Sequence, residues 1–151
     1  MTAADRPREP LSGAAPPFVH RLRARFQDVD AAGIVFFARF FEYAHEAFEE
    51  WMRAAGLPLG ERLRAGDVGM PLVHAEADYH APTRHDDALA LSVRVARLGE
   101  KSVGFVIEIA SEAGEQRATV RLTHACIDRA RFRAMPWPPE MRAALAAAGG
   151  V

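Results

Sequence analysis

Hydrophobic and polar side chains alternate along residues 18–26, "FVHRLRARF". One side of this segment carries His20, the polar exception, together with the apolar residues Phe18, Leu22, Ala24 and Phe26. A period of two residues is typical of a β-strand that buries one face. The pattern therefore predicts a first strand over residues 18–26.

The next pattern has helical spacing. In "FFARFFEYAHEAFEEWMRAAG", which starts at Phe36, apolar side chains recur every three or four positions and charged side chains occupy the opposite face. The apolar stripe consists of Phe37, Phe40, Phe41, Ala44, Phe48, Trp51, Met52 and Ala55. Gly56 and Pro58 end it. We predict an amphipathic helix of about 19 residues that begins near Phe36.

The rest of the chain returns mainly to alternation. After a connector with one short helical turn, "MPLVHAEADYHAP" alternates, and residues 88–128 predict three strands with breaks at Gly99-Glu100 and Gly114-Glu115. "PWPPEMRAALAAAGG" predicts a short terminal helix with prolines at its start. A strand, a long helix and an antiparallel set of strands indicate an α+β fold.

Composition narrows the class of protein. The chain has 151 residues, half of them hydrophobic, and a net charge of -1, which gives no electrostatic argument for binding nucleic acid or an anionic membrane. No stretch approaches the roughly 20 apolar residues of a membrane span. A single cysteine, Cys126, excludes an intrachain disulfide framework and favours a reducing, cytoplasmic location. We expect residues 1–17 to form a disordered leader and residues 18–148 to form one domain.

Two carboxylates and a glycine precede the predicted helix in "DVDAAG", residues 28–33. Asp28 has the position of a residue that caps or shapes a helix start. A calcium loop is excluded because Ala32 and Arg39 stand where such a loop needs acidic ligands. No Ser, Thr or Asn caps the first turn, so free amides would lie close to an acid. That combination suits acyl transfer, in which amides polarise a carbonyl and the acid attacks or activates water.

Other polar residues carry weaker signals. His45 and Glu46 begin the zinc-binding pattern His-Glu-x-x-His, but position 49, which needs histidine, is Glu49. The spacing of His45 and Glu49 instead predicts a hydrogen bond between their side chains. The polar positions of residues 74–80 predict a solvated or subunit-facing strand face rather than a metal cluster. His124 and Cys126 lie in an apolar strand, where a buried structural cysteine is expected. We therefore expect no metal.

The stretch "DVDAAGIVFFARF", followed by an aromatic-rich helix and antiparallel strands, resembles the hotdog-fold acyl-CoA thioesterases of the 4-hydroxybenzoyl-CoA thioesterase type. The stretches "HEAFEE", "MPLVHAEADY" and "THACID" are more similar to the 1,4-dihydroxy-2-naphthoyl-CoA thioesterases. The resemblance implies a hotdog fold, in which an antiparallel sheet wraps a long central helix. It also implies hydrolysis of an aromatic acyl-CoA thioester, with CoA as part of the substrate and no separate cofactor.

The same resemblance implies which residues carry the reaction. The catalytic carboxylate of the family is the acid before x-x-Gly, which is Asp30 here. The backbone N–H at about Phe37 would bind the oxyanion, and Gly33 would let the chain approach the thioester. Whether Asp30 attacks directly or activates water stays open.

The resemblance also implies binding residues. His45 occupies the helix position that contacts the ring hydroxyl of phenolic substrates, and Phe36 and Phe41 would form walls of the acyl pocket. Lys101, and less directly Arg97, would meet the CoA phosphates. A homotetramer or homodimer with sites at subunit interfaces is expected.

Several alternatives belong to the same fold. The hydratase pattern needs histidine five residues after the acid, where this chain has Val35, and the dehydratase type needs a histidine that the loop lacks. A thioesterase for fatty acyl-CoA or acyl carrier protein shares the Asp motif, and apolar walls accept alkyl chains. A non-catalytic acyl-CoA-binding module would not require Asp30.

Overall fold

The computed structural model describes residues 17–150, so the expected leader, apart from Pro17, lies outside the described residues. In chain order the elements are β1 (Phe18–Arg23), α1 (Arg39–Ala54), α2 (Leu59–Ala65), β2 (Val68–Gly69), β3 (Leu72–Tyr79), β4 (Ala88–Leu98), β5 (Ser102–Ser111), β6 (Gln116–Ala125), β7 (Ile127–Asp128), β8 (Arg133–Ala134) and α3 (Pro139–Gly149). The main sheet is antiparallel, with the order β1-β4-β5-β6-β3. A smaller sheet has the order β2-β7-β8. The α+β prediction is confirmed.

The centre of the sheet follows the sequence pattern closely. At the β4–β5 hairpin the N–H of Gly99 donates to the carbonyl of Ser102 at 2.8 Å. Gly114 turns the β5–β6 hairpin with a φ of +88°, which favours glycine. Both predicted breaks are therefore confirmed. Alternate residues of the three strands are buried, which gives the sheet one apolar face.

Helix α1 lies on that apolar face. Its buried residues are Phe40, Tyr43, Ala44, Ala47, Phe48, Trp51 and Met52. The rings of Phe48 and Trp51 meet Phe105 of β5 edge to face, with centroids 5.1 and 5.0 Å apart. Tyr43 and Ala47 were outside the predicted stripe. Their burial shows that α1 is covered over a wider arc than a narrow three-and-four spacing marks, and at Tyr43 the cover includes Asp28 of the preceding loop.

Two predicted boundaries were wrong. Strand β1 ends at Arg23, and a 3₁₀ turn, Phe26–Asp28, follows it and leaves the Phe26 side chain 80% exposed. Helix α1 begins at Arg39 rather than near Phe36 and has 16 residues. The N–H of Phe36 donates to the carbonyl of Asp28 at 2.8 Å, so the chain there still belongs to the loop. Phe37, predicted for the core stripe, is 59% exposed.

His20, the polar exception in the first strand, has a partner on α1. Its Nε2 lies 2.8 Å from Oε1 of Glu46, which links β1 to the helix. Because both groups are only partly exposed, this pairing meets the hydrogen-bonding requirement of a histidine on an otherwise apolar strand face.

Strand β3 is the edge strand beside β6, and most of it is exposed on both faces. Val73 is 60% exposed and Leu72 is 51% exposed. On its polar face Arg121 of β6 donates to Asp78 at 2.8 Å. Within residues 17–150, no cluster of three or more acidic, histidine or cysteine side chains has an arrangement that could hold a metal ion. None of the helices in that range is long and apolar enough to cross a bilayer.

Candidate active site

The loop between β1 and α1 forms a tight turn at the "DAAG" sequence. The N–H of Asp30 donates to the carbonyl of Ile34 at 2.9 Å, and the N–H of Gly33 donates back to the carbonyl of Asp30 at 3.0 Å. Gly33 has a φ of +79°, a conformation that L side chains rarely adopt. Val29 and Val35 form a single antiparallel bridge across the turn. Gly33 therefore serves the turn that presents Asp30.

Asp28 is buried beneath this turn. The residue is 6% exposed. Its carboxylate accepts a hydrogen bond of 2.6 Å from the hydroxyl of Tyr43 and one of 3.3 Å from the N–H of Arg25. The Nε atom of Arg39 lies 3.7 Å from its other oxygen. Burial, and then the hydrogen bond to Asp28, raise the pKa of Tyr43 well above its ordinary value. Asp28 thus anchors the loop to α1, as its sequence position suggested.

Asp30 is partly buried, and only one of its oxygens is engaged. Oδ1 accepts a hydrogen bond of 2.8 Å from the N–H of Ala32. Across residues 17–150, no protein donor reaches the other oxygen, Oδ2. The side chain lines a pocket of about 450 Å³, whose other walls are Ile34, Val35, Phe36, Phe37, Phe40, Tyr79, His80, Ala81, Pro82 and Thr83. A carboxylate oxygen without a protein donor in a mostly apolar pocket is able to act on a bound ligand.

Two backbone amides before α1 lack acceptors. The helix is preceded by Ala38, which provides no side-chain cap. In the described part of the chain, the N–H groups of Phe37 and Ala38 have no hydrogen-bond acceptor, whereas the N–H of Arg39 already bonds to the carbonyl of Phe36 at 2.9 Å. Both free amides lie at the positive end of the helix dipole, where a negative oxygen is stabilised. Phe37, whose amide was predicted to bind the oxyanion, is one of the residues that line the Asp30 pocket.

Tyr79 is a residue of this pocket that the sequence did not single out. Its hydroxyl donates to the carbonyl of Phe37 at 2.9 Å, and its ring packs edge to face on Phe40 with centroids 5.4 Å apart. Burial raises the pKa of Tyr79. The carbonyl of Phe37 and the N–H of Ala38 belong to one planar peptide group, so Tyr79 fixes the direction of a free amide. Only the sheet register, which no local pattern shows, could have revealed this contact.

Residues 80–83 form a wall of the pocket beyond the end of β3. The N–H of Val35 donates to the carbonyl of Thr83 at 2.7 Å, which joins this wall to the Asp30 loop. Thr83 is 1% exposed, and its hydroxyl has no hydrogen-bond partner among residues 17–150. No pattern in the sequence singled out this residue.

His45 and Phe41, predicted to bind the substrate, do not line the Asp30 pocket of the same chain. They line a second pocket of about 520 Å³ together with Glu42, Glu46, Glu49, Leu72 and Leu122. Nε2 of His45 lies 2.9 Å from Oε1 of Glu49, which confirms the predicted contact on the helix surface. Phe36, by contrast, does line the Asp30 pocket.

The two predicted CoA-binding residues lie at or near the β4–β5 hairpin, and neither lines the His45 pocket or the Asp30 pocket. Lys101 is exposed in the turn, where its carbonyl accepts from the N–H of Cys126 at 2.8 Å. Arg97 lies at a bulge of β4 and lines a small hollow of about 220 Å³ that Arg121 also lines. Neither residue lines the Asp30 pocket within one chain.

Cys126 and His124 are both buried, as the apolar strand pattern predicted. Burial raises the pKa of the Cys126 thiol, which disfavours a reactive thiolate. Nδ1 of His124 lies 3.0 Å from the carbonyl of Met70, and its ring stacks on Phe48 with centroids 4.4 Å apart. Burial lowers the pKa of His124, so the neutral ring is favoured.

Comparison with known proteins gives matches over most of the chain. Residues 24–145 match the family model described as the thioesterase-like superfamily. A 1,4-dihydroxy-2-naphthoyl-CoA hydrolase of Synechocystis sp. is 29% identical over 129 residues, covering 85% of this chain and 94% of that protein. The hydrolase of the same name from Synechococcus elongatus is 33% identical over 119 residues, covering 78% and 87% of the two chains.

Solved structures give the same picture. The crystal structure of a 1,4-dihydroxy-2-naphthoyl-CoA thioesterase from Synechocystis superposes with a TM-score of 0.81 and 28% identity, over 87% of this chain and 96% of that one. A gentisyl-coenzyme A thioesterase superposes with a TM-score of 0.77 and 27% identity, over 85% of this chain and 100% of the other. The expected hotdog fold is confirmed by these neighbours.

Proposed function

Because this chain belongs to the thioesterase-like superfamily, we propose that it hydrolyses an aromatic acyl-CoA thioester to the free acid and CoA. The acyl group we propose is of the 1,4-dihydroxy-2-naphthoyl or 4-hydroxybenzoyl type. Support comes from relatives whose names specify a 1,4-dihydroxy-2-naphthoyl-CoA substrate and from a structural neighbour that acts on a gentisyl thioester.

One observation supports this reaction most strongly. Asp30 and Phe37 line the same pocket, and within residues 17–150 one Asp30 carboxylate oxygen has no protein donor and the amides of Phe37 and Ala38, just before α1, have no acceptor. The amides would bind the thioester carbonyl and stabilise the oxyanion that forms on it. Phe36, Phe37 and Phe40 add an apolar wall that suits a flat ring. The reaction needs no cofactor, because a carboxylate, amides and water supply every step.

Two routes use Asp30 with balanced chemistry. As a general base it takes a proton from water, whose oxygen attacks the acyl carbon, and the C–S bond then breaks to release CoA thiolate. As a nucleophile its oxygen bonds to the acyl carbon, thiolate leaves, and water hydrolyses the resulting anhydride. Multiple turnovers in H₂¹⁸O distinguish the routes, since only the second can place ¹⁸O in the Asp30 carboxylate.

We also propose that two copies of the chain pair along β3. This homodimer would be either the whole assembly or one half of a homotetramer. Leu72, at the start of β3, lines the His45 pocket, and Tyr79, at its end, lines the Asp30 pocket. Two-fold antiparallel pairing of β3 with a second copy would set the start of one strand beside the end of the other. The His45 pocket of one copy would then adjoin the Asp30 pocket of its partner.

Exposed apolar side chains on an unpaired edge support such pairing, because an open strand edge readily adds another strand. Leu72 and Val73 are 51% and 60% exposed. Sedimentation equilibrium of the wild type and of Val73→Lys tests the arrangement. A wild type of at least twice the chain mass, with a shift toward monomer in the variant, would support it, whereas a monomeric wild type would contradict it.

Lys101 and Arg97 remain the proposed partners of the CoA phosphates, since both are cations in or next to one hairpin. Lys101→Ala should raise KM for the CoA ester and leave KM for a thioester of a short thiol unchanged. Equal effects on the two substrates would contradict the assignment. A free, buried cysteine and a CoA-linked substrate support the cytoplasm as the location of the enzyme.

The acyl specificity is tested by thiol release from a panel of 1,4-dihydroxy-2-naphthoyl-, 4-hydroxybenzoyl-, benzoyl- and mid-chain fatty acyl-CoA, read with a thiol reagent. Preferred turnover of a hydroxylated aromatic ester is the expected result. Turnover confined to alkyl chains would retain thioester hydrolysis and replace the proposed substrate. Binding of acyl-CoA without turnover by folded protein would indicate a non-catalytic module.

A further inference from the structure

Arg117, on β6, contacts the wall of the Asp30 pocket through both its backbone and its side chain. Its carbonyl accepts hydrogen bonds from the N–H groups of His80 at 2.8 Å and Ala81 at 3.3 Å. Its guanidinium donates to the carbonyl of Pro82. All three of these partners line the pocket. The Arg117 side chain is 15% exposed, so most of it is packed against the protein. Arg117 therefore attaches the wall to the sheet.

The bond to Pro82 is the part of this attachment that only the side chain supplies. Proline has no N–H, and across residues 17–150 the Arg117 guanidinium is the only donor to the Pro82 carbonyl. Nη2 of the same guanidinium lies 3.2 Å from Oε2 of Glu115 and 3.9 Å from Oδ2 of Asp87. The planar guanidinium can serve a carbonyl and carboxylates at once. The two carboxylates thus hold the guanidinium, and the guanidinium holds the wall.

From Pro82, a short series of backbone hydrogen bonds leads to Asp30. The carbonyl of the next residue, Thr83, accepts from the N–H of Val35 at 2.7 Å. That N–H belongs to the same planar peptide group as the carbonyl of Ile34, which accepts from the N–H of Asp30 at 2.9 Å. A shift of the wall is therefore passed through one rigid peptide group to the residue that carries the carboxylate.

We propose that Arg117 is a positioning residue for Asp30, because it fixes the wall to which the Asp30 turn is bonded. This inference rests on the proposed thioester hydrolysis and adds a residue to it. Arg117 does not line the Asp30 pocket, so its effect is on the alignment of the carboxylate rather than on contact with the substrate. A displacement of about 1 Å in a catalytic group can lower the rate about 10²-fold.

The test uses Arg117→Met, which keeps the apolar stem of the side chain and removes the guanidinium. Steady-state kinetics on the preferred acyl-CoA are measured at equal amounts of folded protein, well below the Tm of each variant. We expect kcat to fall about tenfold or more, with KM within about twofold of the wild type. Arg117→Gln, which also lacks the fork, should give the same result and replaces Arg117→Met if that variant does not fold. A residue that contributes only to stability would lower Tm and leave the kcat of folded protein unchanged.

Arg129→Met is the matched control. The Arg129 guanidinium also donates to a backbone carbonyl, that of Leu63 at 2.8 Å, but Arg129 lines neither the His45 pocket nor the Asp30 pocket. Removing it should leave kcat unchanged.

A double variant tests whether the effect of Arg117 passes through Asp30. Arg117→Met should lower the residual turnover of Asp30→Asn by less than about twofold, because the carboxylate that Arg117 positions is already absent. Equal fold losses of kcat in the wild-type and Asp30→Asn backgrounds would overturn the inference.

Two further results would overturn the inference while leaving thioester hydrolysis intact. One is a kcat of folded Arg117→Met within about twofold of the wild type while Asp30→Asn is strongly impaired. The other is a rise in KM with kcat unchanged, which would assign Arg117 to the shape of the binding wall. A wild type that hydrolyses no thioester would remove the proposed function itself, and the inference with it.

Discussion

The hydroxyl of Tyr43 donates a 2.6 Å hydrogen bond to Oδ2 of Asp28, the buried first acid of the Asp-Val-Asp sequence. This hydrogen bond distinguishes the roles of two carboxylates, Asp28 and Asp30, that look alike in the sequence. Asp28 is held by α1 and by the backbone of its own turn, while Asp30, two residues later, keeps an oxygen without a protein donor in the described part of the chain. The first acid shapes the loop, and the second acid is the one that can act on a ligand.

Replacing Tyr43 with phenylalanine should destabilise the protein by about 1–3 kcal/mol, because the buried Asp28 carboxylate would lose its shortest hydrogen bond. Urea unfolding at neutral pH measures the effect. Tyr43 lines neither pocket, so the variant should keep its substrate preference. An unchanged free energy of unfolding would show that the Arg25 amide and Arg39 already satisfy Asp28.

Tyr79→Phe should lower kcat several-fold with little change in stability. The hydroxyl fixes the peptide group between Phe37 and Ala38, and the phenyl ring of the variant can still pack on Phe40. Loss of that bond should loosen an amide that would stabilise the oxyanion, whose donors are often worth about 10²-fold or more in kcat. Steady-state kinetics with the preferred thioester give the answer. Wild-type kcat in this variant would remove Tyr79 from the positioning of the amides.

His45→Ala should weaken turnover of hydroxylated aromatic thioesters by about tenfold or more and affect benzoyl-CoA much less. The reason is that a ring hydroxyl can exchange a hydrogen bond with His45, whereas an unsubstituted ring cannot. Glu49→Gln is the control, since it weakens the pairing at 2.9 Å without removing the imidazole. Equal losses on both esters would assign His45 a structural role on the helix surface.

Stability should depend on pH through His124. Burial lowers its pKa below the ordinary value of 6.5, so the unfolded chain binds a proton at a higher pH than the folded chain does. Above about pH 6.5, His124 should therefore not reduce the free energy of unfolding. Below about pH 6.5, the free energy of unfolding should fall as the pH drops, by at most about 1.4 kcal/mol per pH unit. Urea unfolding of the wild type and of His124→Phe at pH 7.5, 6.5 and 5.5 tests this. Parallel pH dependences in the two proteins would contradict it.

The fold could be predicted from sequence wherever one local pattern dictated the structure. The turns at Gly99 and Gly114 and the three strands around them follow from alternation and glycine, and the body of α1 follows from its helical spacing. The start of α1 could not be predicted in this way. Phe36 and Phe37 continue the hydrophobic pattern, but they line the Asp30 pocket, and both are exposed.

The residues of the candidate site also fall into two groups, those that a local sequence motif predicts and those that only the fold brings to the pocket. Asp30, Gly33 and the Phe37 amide lie within eight residues of sequence, and their motif was readable. Tyr79 and Thr83 reach the pocket from the far edge of the sheet, and only the pairing of β3 with β6 and the contact of residue 83 with Val35 bring them there. Sequence resemblance grouped His45 with Asp30, but the fold of one chain places them in different pockets.

The most direct test of the account is thioester hydrolysis by wild type and Asp30→Asn, assayed side by side on the preferred aromatic acyl-CoA at equal amounts of folded protein. Within residues 17–150 the Asp30 side chain accepts one hydrogen bond, from the Ala32 amide. Asparagine can also accept it, so circular dichroism and Tm should match. We predict that kcat falls by at least about 10²-fold in the variant. Near-normal turnover by Asp30→Asn would contradict the assignment of Asp30 and, with it, the proposed mechanism.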